Sequence, residues 1–378
     1  MKRNLLMALM QLEIGGAETH VVELSKELQK RGYNITVASN GGVYEKELSD
    51  AGIKHYKLPL HSKKPKDMIE SYKGLKKIIK EEEIELVHSH ARIPSFLLGR
   101  LHKKMHFPFV TTAHWVFDTS HGLKYLTDWG EKTVAVSEDI KKYLMDNYKT
   151  PKENIFVTIN GIDTQKFSDT LDATSVCDEF GIDKDANTIV YISRMDEDRS
   201  LVAKQLIEVL PKLDNIIENL TLLIVGDGND FENVKKLADV ANEKLGRKAI
   251  KLTGARCDIA RLISPAKLFV GVSRSALEAM AEAKPVIIAG NEGYIGLFDE
   301  GKLQVGIDTN FCCRGCEEST PERLAQDIGE FFGMWDEDIE KISQYGRSLI
   351  MERYSVGKMA DDTESAYNSC LEKYEKAD

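Results

Sequence analysis

The feature that most constrains this chain is an alternation, almost from end to end, of short apolar runs with segments of helical periodicity. The run from Ile189 to Ile192 is apolar at every position, as expected of a strand buried on both faces. Such strands, joined by helices, form parallel sheets with right-handed crossovers. The sequence therefore predicts an α/β fold.

The predicted strands fall into two series. The first comprises Asn4–Met10, Asn34–Ser39, Glu85–His90, Phe109–His114, Thr133–Val136 and Ile155–Ile159, and the second comprises Thr188–Ser193, Leu220–Gly226, Ala249–Thr253, Leu268–Val272 and Pro285–Ala289. The main helical patterns between them are Glu18–Lys30, Asp67–Glu81, Leu201–Leu213, Asp230–Leu245 and Ala276–Ala281. A polar stretch between the series, Phe167–Asp185, predicts an interdomain linker. At 378 residues two domains are expected, and we place them at 1–168 and 169–356.

Charge and hydropathy exclude several classes of protein. A net charge of −10 argues against a nucleic-acid binder, which needs a basic face. No segment approaches the roughly 18 apolar residues of a spanning helix, and the run Leu5–Met10 is too short for a signal peptide. We therefore expect a cytoplasmic protein.

One segment, Lys63–Lys80, could still contact a membrane. It carries seven lysines, and with Ile69, Leu75, Ile78 and Ile79 on the same helix it could touch an anionic membrane surface weakly. A solvated basic face is the more common meaning of such a pattern.

Two glycine-bearing motifs follow predicted strands, where open parallel sheets bind their ligands. Gly15 and Gly16 precede the first helix, so their backbone N–H groups could approach an anion, with Glu18 close behind. Gly226 ends a strand of the second series in the same way. Each motif alone also fits a plain tight turn.

Charged residues follow two other strands of the second series. Arg194 and Arg199 lie between a buried strand and a helix, and two guanidinium groups suit a diphosphate. Pairing with the acids at 196–198 is the alternative. Ser273 and Arg274 open a helix that carries Glu278 in its predicted first turn. That carboxylate could hold a ribose or only favour the helix dipole.

Histidines and cysteines offer further candidates. His88, His90 and His114 stand at strand ends, and His114 as a catalytic or substrate contact is the preferred hypothesis. Because no acidic residue joins them with ligand spacing, we expect no metal site. Cys312, Cys313 and Cys316 provide three thiols and no fourth zinc ligand, so reduced cysteines are favoured over a metal or redox centre.

Taken together, these motifs resemble those of family 4 glycosyltransferases, which have the GT-B fold. The resemblance covers nearly the whole chain. It rests on the Gly15-Gly16-Ala17-Glu18 segment, His114, Asn160-Gly161-Ile162-Asp163, Arg194, and Glu278 before Lys284-Pro285. It implies two Rossmann-like domains whose parallel sheets face each other across a cleft. The N-terminal domain would bind the acceptor, the C-terminal domain would bind the donor, and the terminal helix, 357–378, would complete the first domain.

The resemblance also implies an activity in carbohydrate biosynthesis and roles for individual residues. A nucleotide-diphosphate sugar, with a UDP-sugar favoured, would be the donor, and transfer would retain the anomeric configuration without a metal or cofactor. His114, Arg194 and Arg199 are the catalytic candidates. The acceptor would be a glycan, a lipid or a small molecule, with Glu18 and His90 on its side. The donor-binding candidates are Gly15, Gly16, Gly226, Ser273, Arg274, Glu278 and Glu292.

The chain departs from the family at one position that bears on the sugar. The family's motif has a glutamate eight residues before Glu278, and here that position is Val270, with Ser273, Arg274 and Ser275 in the loop that follows. Glu292 is the candidate replacement. Two alternatives therefore stay open: a catalytically impaired protein that only binds nucleotide sugars, of a coat type, and a nucleotide-sugar epimerase or hydrolase.

Overall fold

The computed structural model describes residues 3–117, 119–120 and 122–375, which form two compact units. The first unit runs up to Gly161 and resumes at Tyr354, and the second comprises Ile162–Arg353. The division at Gly161 comes before the predicted boundary at residue 168, so the segment 162–168 belongs to the second unit.

The first unit is built on a seven-stranded parallel sheet of order β3-β2-β1-β4-β5-β6-β7. Its strands are β1 Asn4–Ala8, β2 Asn34–Ser39, β3 Lys54–Lys57, β4 Leu86–Ser89, β5 Phe109–Ala113, β6 Lys132–Ala135 and β7 Ile155–Val157. The helices that alternate with them are α1 Gly16–Lys30, α2 Glu45–Asp50, α3 Pro65–Glu81, α4 Arg92–Met105 and α5 Glu138–Tyr148. Short 3-10 turns lie at Leu123–Leu126 and Lys152–Asn154.

The second unit has a six-stranded sheet of order β10-β9-β8-β11-β12-β13. Its strands are β8 Asn187–Ile192, β9 Leu220–Val225, β10 Ile250–Leu252, β11 Leu268–Gly271, β12 Val286–Gly290 and β13 Gly293–Leu297. Its helices are α6 Thr174–Phe180, α7 Leu201–Leu213, α8 Phe231–Leu245, α9 Ile259–Ile263, α10 Ser273–Ala281, α11 Leu303–Asp308, α12 Pro321–Phe332 and α13 Asp336–Arg353, with a 3-10 turn at Glu300–Lys302.

The predicted α/β class with two parallel-sheet domains is confirmed, with three local differences. Strand β3 has no fully buried residue and sits at the sheet edge, so it lacks the apolar run that marked the others. Strand β13 was also missed, and it pairs with β12 in the antiparallel direction. The predicted linker contains α6, a short helix that buries Val176 and Cys177 in the second unit.

The last helix, α14 (Val356–Glu375), packs within the first unit. Its Tyr367 is fully buried beside the core residues of α1 and β1. Arg31 follows α1 and donates to Asp361, Glu364 and the carbonyl oxygen of Gly357, which fastens the start of α14. The first unit therefore draws part of its core from the end of the chain.

The exposure of side chains on the lysine-rich helix α3 bears on the predicted contact with a membrane surface. Its lysines are exposed, but Leu75, Ile78 and Ile79 are buried in the core, and only Ile69 of the four apolar residues is exposed. Those three side chains are therefore unavailable for contact with a membrane, and weak peripheral contact through this segment stays a prediction. No helix in the described ranges is long and apolar enough to cross a membrane.

Candidate functional site

In the second unit, the loops that follow β8, β9 and β11 meet at the carboxyl edge of the sheet. The N–H of Ser193 donates to the carbonyl of Val225 at 3.1 Å, which joins the first two loops. The hydroxyl of Ser275, in the first turn of α10, reaches the carbonyl of Ile192 at 3.4 Å. The motifs predicted separately along this half of the chain therefore share one edge.

Gly226 is required by the packing of these loops. Its φ is +135°, and a Cβ there would lie 1.8 Å from the carbonyl oxygen of Ser193. No other residue fits without backbone movement. The structure thus gives Gly226 a role within the protein, and a donor contact by this residue stays a prediction.

Arg194 and Arg199 project from the β8 loop with much of their side chains exposed, 59% and 48% respectively. Arg194 Nη2 lies 3.2 Å from Asp196 Oδ2, and Arg199 Nε lies 3.9 Å from Asp198 Oδ2. The alternative of pairing with local acids is therefore partly realised. Exposed ion pairs of this kind contribute at most about 1 kcal/mol, so an anionic ligand can displace the acids.

Glu278 lies in the second turn of α10, because the helix begins at Ser273. The prediction that Glu278 occupies the first turn was wrong. Because the effect of the helix dipole falls off within the first turn, Glu278 does not owe its position to that interaction. Its carboxylate is nearly buried and accepts a 2.8 Å hydrogen bond from Arg274 Nε. Val270, at the position of the family's missing glutamate, is a fully buried residue of β11 and offers no ligand contact.

The turn between β12 and β13 brings Glu292 to the same region. Asn291 donates to the carbonyl of Asp198 in the β8 loop, and Glu292 pairs with Arg314 at 3.4 Å. The segment around Phe311 adjoins this region too, since the carbonyl of Phe311 accepts from the N–H of Ser273 at 2.7 Å. The contact between Ser273 and Phe311 could not be predicted from the sequence, because it is made by a backbone carbonyl group, which every residue type has.

In the first unit, Gly15 and Gly16 open α1 as predicted, and Glu18 folds back over them. A Cβ on Gly15 would lie 2.2 Å from Glu18 Oε2, so the carboxylate covers this residue. Burial raises the pKa of Glu18, while a hydrogen bond from its own backbone N–H opposes the shift. A ligand phosphate at this helix terminus would have to displace Glu18.

Three histidines converge at the carboxyl edge of the first sheet. His90 and His114 directly follow β4 and β5, and their Nδ1 and Nε2 atoms lie 3.1 Å apart. His20, on α1, completes the group with its ring centroid 4.8 Å from that of His114. One ligand nitrogen from each residue lies within 4.8 Å of the others, an arrangement that could hold a metal ion. His20 was not among the candidates from the sequence, because it lies within a predicted helix and not at the end of a predicted strand.

Burial keeps the imidazoles of His90 and His114 uncharged. It lowers the pKa of His114 to about 4 and that of His90 well below its ordinary value. His88 lies beneath them, and burial with some repulsion from His114 lowers its pKa to about 3. Both of its ring nitrogens have hydrogen-bond partners at 2.7 Å, Tyr367 Oη and Thr112 Oγ1. His88 is therefore a structural residue, His90 is buried, and His114 is partly exposed.

Comparison with known proteins identifies the family of this chain. Residues 14–166 match the sequence model of Glycosyltransferase Family 4, and residues 175–349 match that of Glycosyl transferases group 1. The chain belongs to the family 4 glycosyltransferases. The uncharacterized glycosyltransferase MJ1178 of Methanocaldococcus jannaschii is 27% identical over 297 residues, which cover 72% of this chain and 75% of that relative.

Solved glycosyltransferase structures share the fold of this family 4 member. A glycosyltransferase from Rickettsia africae has a TM-score of 0.78 at 24% identity, covering 98% of this chain and 99% of its own. HepE of Anabaena in complex with UDP-glucose has a TM-score of 0.72 at 16% identity, covering 97% and 99%. The predicted family, its GT-B fold and glycosyltransferase activity are confirmed, whereas the roles of individual residues stay predictions.

Proposed function

We propose that this glycosyltransferase takes its sugar from a nucleotide-diphosphate donor held at the carboxyl edge of the second sheet. The observation that carries the proposal is the pair Arg194 and Arg199, both exposed and only loosely paired with neighbouring acids. Guanidinium groups bind phosphate oxygens through two parallel hydrogen bonds. A UDP-sugar is the favoured donor, supported by the UDP-glucose bound to the similarly folded HepE.

The arginines also suit the chemical step. Negative charge builds on the departing diphosphate, and fixed positive groups that meet this charge lower the barrier. Two guanidinium groups can supply that charge, so the proposal assigns no metal ion to diphosphate departure. Retention of the anomeric configuration and an acceptor that is a glycan, a lipid or a small molecule complete the proposal.

The remaining residues have assigned roles. Glu278, held in place by Arg274, would accept hydrogen bonds from the ribose hydroxyls. His114 is neutral, so it can accept or donate one hydrogen bond to the sugar or the acceptor. Glu18 and His90 remain the acceptor-side candidates, and Glu292 remains the candidate contact to the donor sugar.

The donor site can be tested by thermal unfolding with UDP-, GDP- and ADP-sugars. We expect stabilisation by one nucleotide class in the wild-type protein. Losing a charge-assisted pair costs about 1.5–3 kcal/mol, so Arg194→Ala should raise the dissociation constant about 10- to 100-fold. Equal stabilisation of the variant and the wild type would reject the assignment.

Arg323→Ala is a matched control in the same unit. Arg323 lines a separate cavity of about 480 Å³ with Tyr294, Lys302 and Asp327. We expect this variant to bind the donor as the wild type does. A loss of donor binding in Arg323→Ala and not in Arg194→Ala would move the donor to that cavity.

Product analysis separates transfer from the two alternatives. The fully buried Val270 at the missing glutamate position is the observation that favours a binding-only protein. Donor binding without product over a panel of acceptors would support that alternative. Rapid donor consumption without an acceptor would support a hydrolase or epimerase, and a product that keeps the anomeric configuration of the donor would support the proposal.

A further inference from the structure

We propose that Asp230, directly before α8, is a positioning residue that holds Arg194 and Arg199 in the geometry that binds a diphosphate. The inference rests on the proposed donor site and adds to it a residue that acts through the two arginines. From the sequence, Asp230 was only the first residue of a helical pattern. Its role comes from contacts with the loop after β8.

The carboxylate of Asp230 is directed at the start of α7. One of its oxygens accepts a hydrogen bond from the hydroxyl of Ser200, the residue after Arg199, and lies 2.5 Å from Lys204 Nζ. The other oxygen accepts a 2.7 Å hydrogen bond from Asn233 Nδ2. Ser200 is fully buried and Asp230 is 2% exposed, so packing shields these contacts from water.

The backbone around Asp230 holds the other end of the loop that carries the arginines. The N–H of Asp230 donates to the carbonyl oxygen of Met195 at 2.8 Å, and Met195, the residue after Arg194, is fully buried. In the middle of the loop, the N–H of Glu197 donates to Asn229 Oδ1 at 2.9 Å. Asp230 therefore contacts the residue that follows each arginine, through its backbone at one end and its carboxylate at the other.

The position of Asp230 in α8 shows that its side chain is not used to cap that helix. Asp230 is the N-cap residue, where an aspartate side chain ordinarily accepts a hydrogen bond from a backbone N–H of the first turn. Among the described residues of α8, no backbone N–H makes such a bond to this carboxylate. Its oxygens are used for Ser200 and Lys204 instead, so the contacts with α7 account for its direction.

The negative charge of Asp230 strengthens these contacts. Hydrogen bonds from Lys204, Ser200 and Asn233 lower the pKa of its carboxyl group to about 2, so the group is ionised at neutral pH. Hydrogen bonds to an ionised acceptor are stronger than those between neutral groups. Because the side chains of both arginines are largely exposed, their backbone fixes where the guanidinium groups can reach. A backbone already held in place lowers the ordering cost of binding a ligand.

The test measures binding of UDP, GDP and ADP to the full chain by equilibrium dialysis. For the nucleotide that the wild type binds, Asp230→Asn should raise the dissociation constant about 10-fold, as expected for residues of one hydrogen-bond network. Asparagine keeps the shape of the side chain and removes its charge. Lys204 is 36% exposed and can be hydrated when it loses this partner, so we expect the variant to fold.

A double-mutant cycle tests whether Asp230 acts through the arginines. In an Arg199→Ala background, Asp230→Asn should change the dissociation constant by less than about 2-fold, because the residue that it positions is absent. General destabilisation would instead weaken binding by the same factor in both backgrounds. Asp214→Asn is the matched control, since it removes the partner of Arg247 at the other end of α7 and should bind the nucleotide as the wild type does.

The outcomes separate this inference from the proposed function. A wild-type affinity in Asp230→Asn, or an equal loss in both backgrounds, would overturn the inference and leave the donor site intact. A wild-type protein that binds none of the three nucleotides would reject the donor site and the inference together. If Asp230→Asn does not fold, Ser200→Ala replaces it in the same cycle, with a smaller increase in the dissociation constant expected in the wild-type background only.

Discussion

At the scale of single residues, Glu282 is the most unusual titratable group of the second unit. It is 2% exposed, and neither carboxylate oxygen has a hydrogen-bond partner in the described ranges. Burial raises the pKa of its carboxyl group to about 9; nearby Lys284 opposes the shift and Glu278 adds to it. Glu282 is therefore protonated in the folded protein at neutral pH.

This state predicts a pH dependence of stability. At pH values between 4.5, the ordinary pKa of the carboxyl group, and about 9, its pKa in the folded protein, Glu282 is ionised in the unfolded chain and protonated in the folded chain. The free energy of unfolding should therefore fall as pH rises, with this group contributing up to about 1.4 kcal/mol per pH unit. Glu282→Gln should match the wild type near pH 4 and be more stable at pH 8, as measured by urea denaturation.

Glu318→Gln is the control for this comparison, because Glu318 is an exposed carboxylate of the same unit. It should leave the dependence of stability on pH unchanged. A Glu282→Gln curve parallel to that of the wild type from pH 4 to 8 would show that the carboxyl group ionises normally in the folded state.

At the scale of elements, α14 stabilises the first unit chiefly through Tyr367. The ring is fully buried, and its hydroxyl lies 2.7 Å from His88 Nδ1. Tyr367→Phe should cost about 1–3 kcal/mol, because it leaves the buried imidazole nitrogen without its partner. Tyr367→Ala should cost about 3–5 kcal/mol through the added cavity. Urea denaturation of both variants measures these costs.

Tyr125 provides the matched comparison, since its side chain is 87% exposed. Tyr125→Phe should leave the free energy of unfolding within about 0.5 kcal/mol of the wild type. If Tyr367→Phe were equally silent, the hydrogen bond to His88 would contribute nothing to stability.

The sequence predicted most elements because burial on both faces leaves continuous apolar runs, as in Leu222–Val225. Elements without such runs were missed: β3 is a half-exposed edge strand, and β13 contains two glycines. For the candidate site, positions at strand ends such as Arg194 and His114 could be predicted. The contact of His20 on α1 could not, because it depends on tertiary packing. The Arg274–Glu278 pair is an i,i+4 contact within α10, and it was missed because the helix was predicted to begin at Ala276.

At the scale of the whole molecule, the two units differ in continuity. The second is one uninterrupted stretch, Ile162–Arg353, with a core of its own that extends from Ile189 to Phe331. The first is discontinuous, and its core includes Met359, Tyr367 and Cys370 from α14.

We therefore expect two fragments to behave differently. A fragment of residues 162–353 should fold and unfold cooperatively, as followed by circular dichroism. A fragment of residues 1–161 should not, because removing α14 exposes apolar surface that contributes about 25 cal/mol per Å² when buried. Adding a peptide of residues 354–378 should restore its structure, and a fragment 1–161 that folds without the peptide would contradict this prediction.

The return of α14 to the first unit also sets an order of events during synthesis. The sheet of the first unit leaves the ribosome early, but the helix that covers it is translated only after the whole second unit. Domains usually fold as units from the N-terminus onward, whereas here the later-encoded unit can be finished first. A nonsense mutation before the codons of α14 would therefore damage the unit whose sheet is translated first.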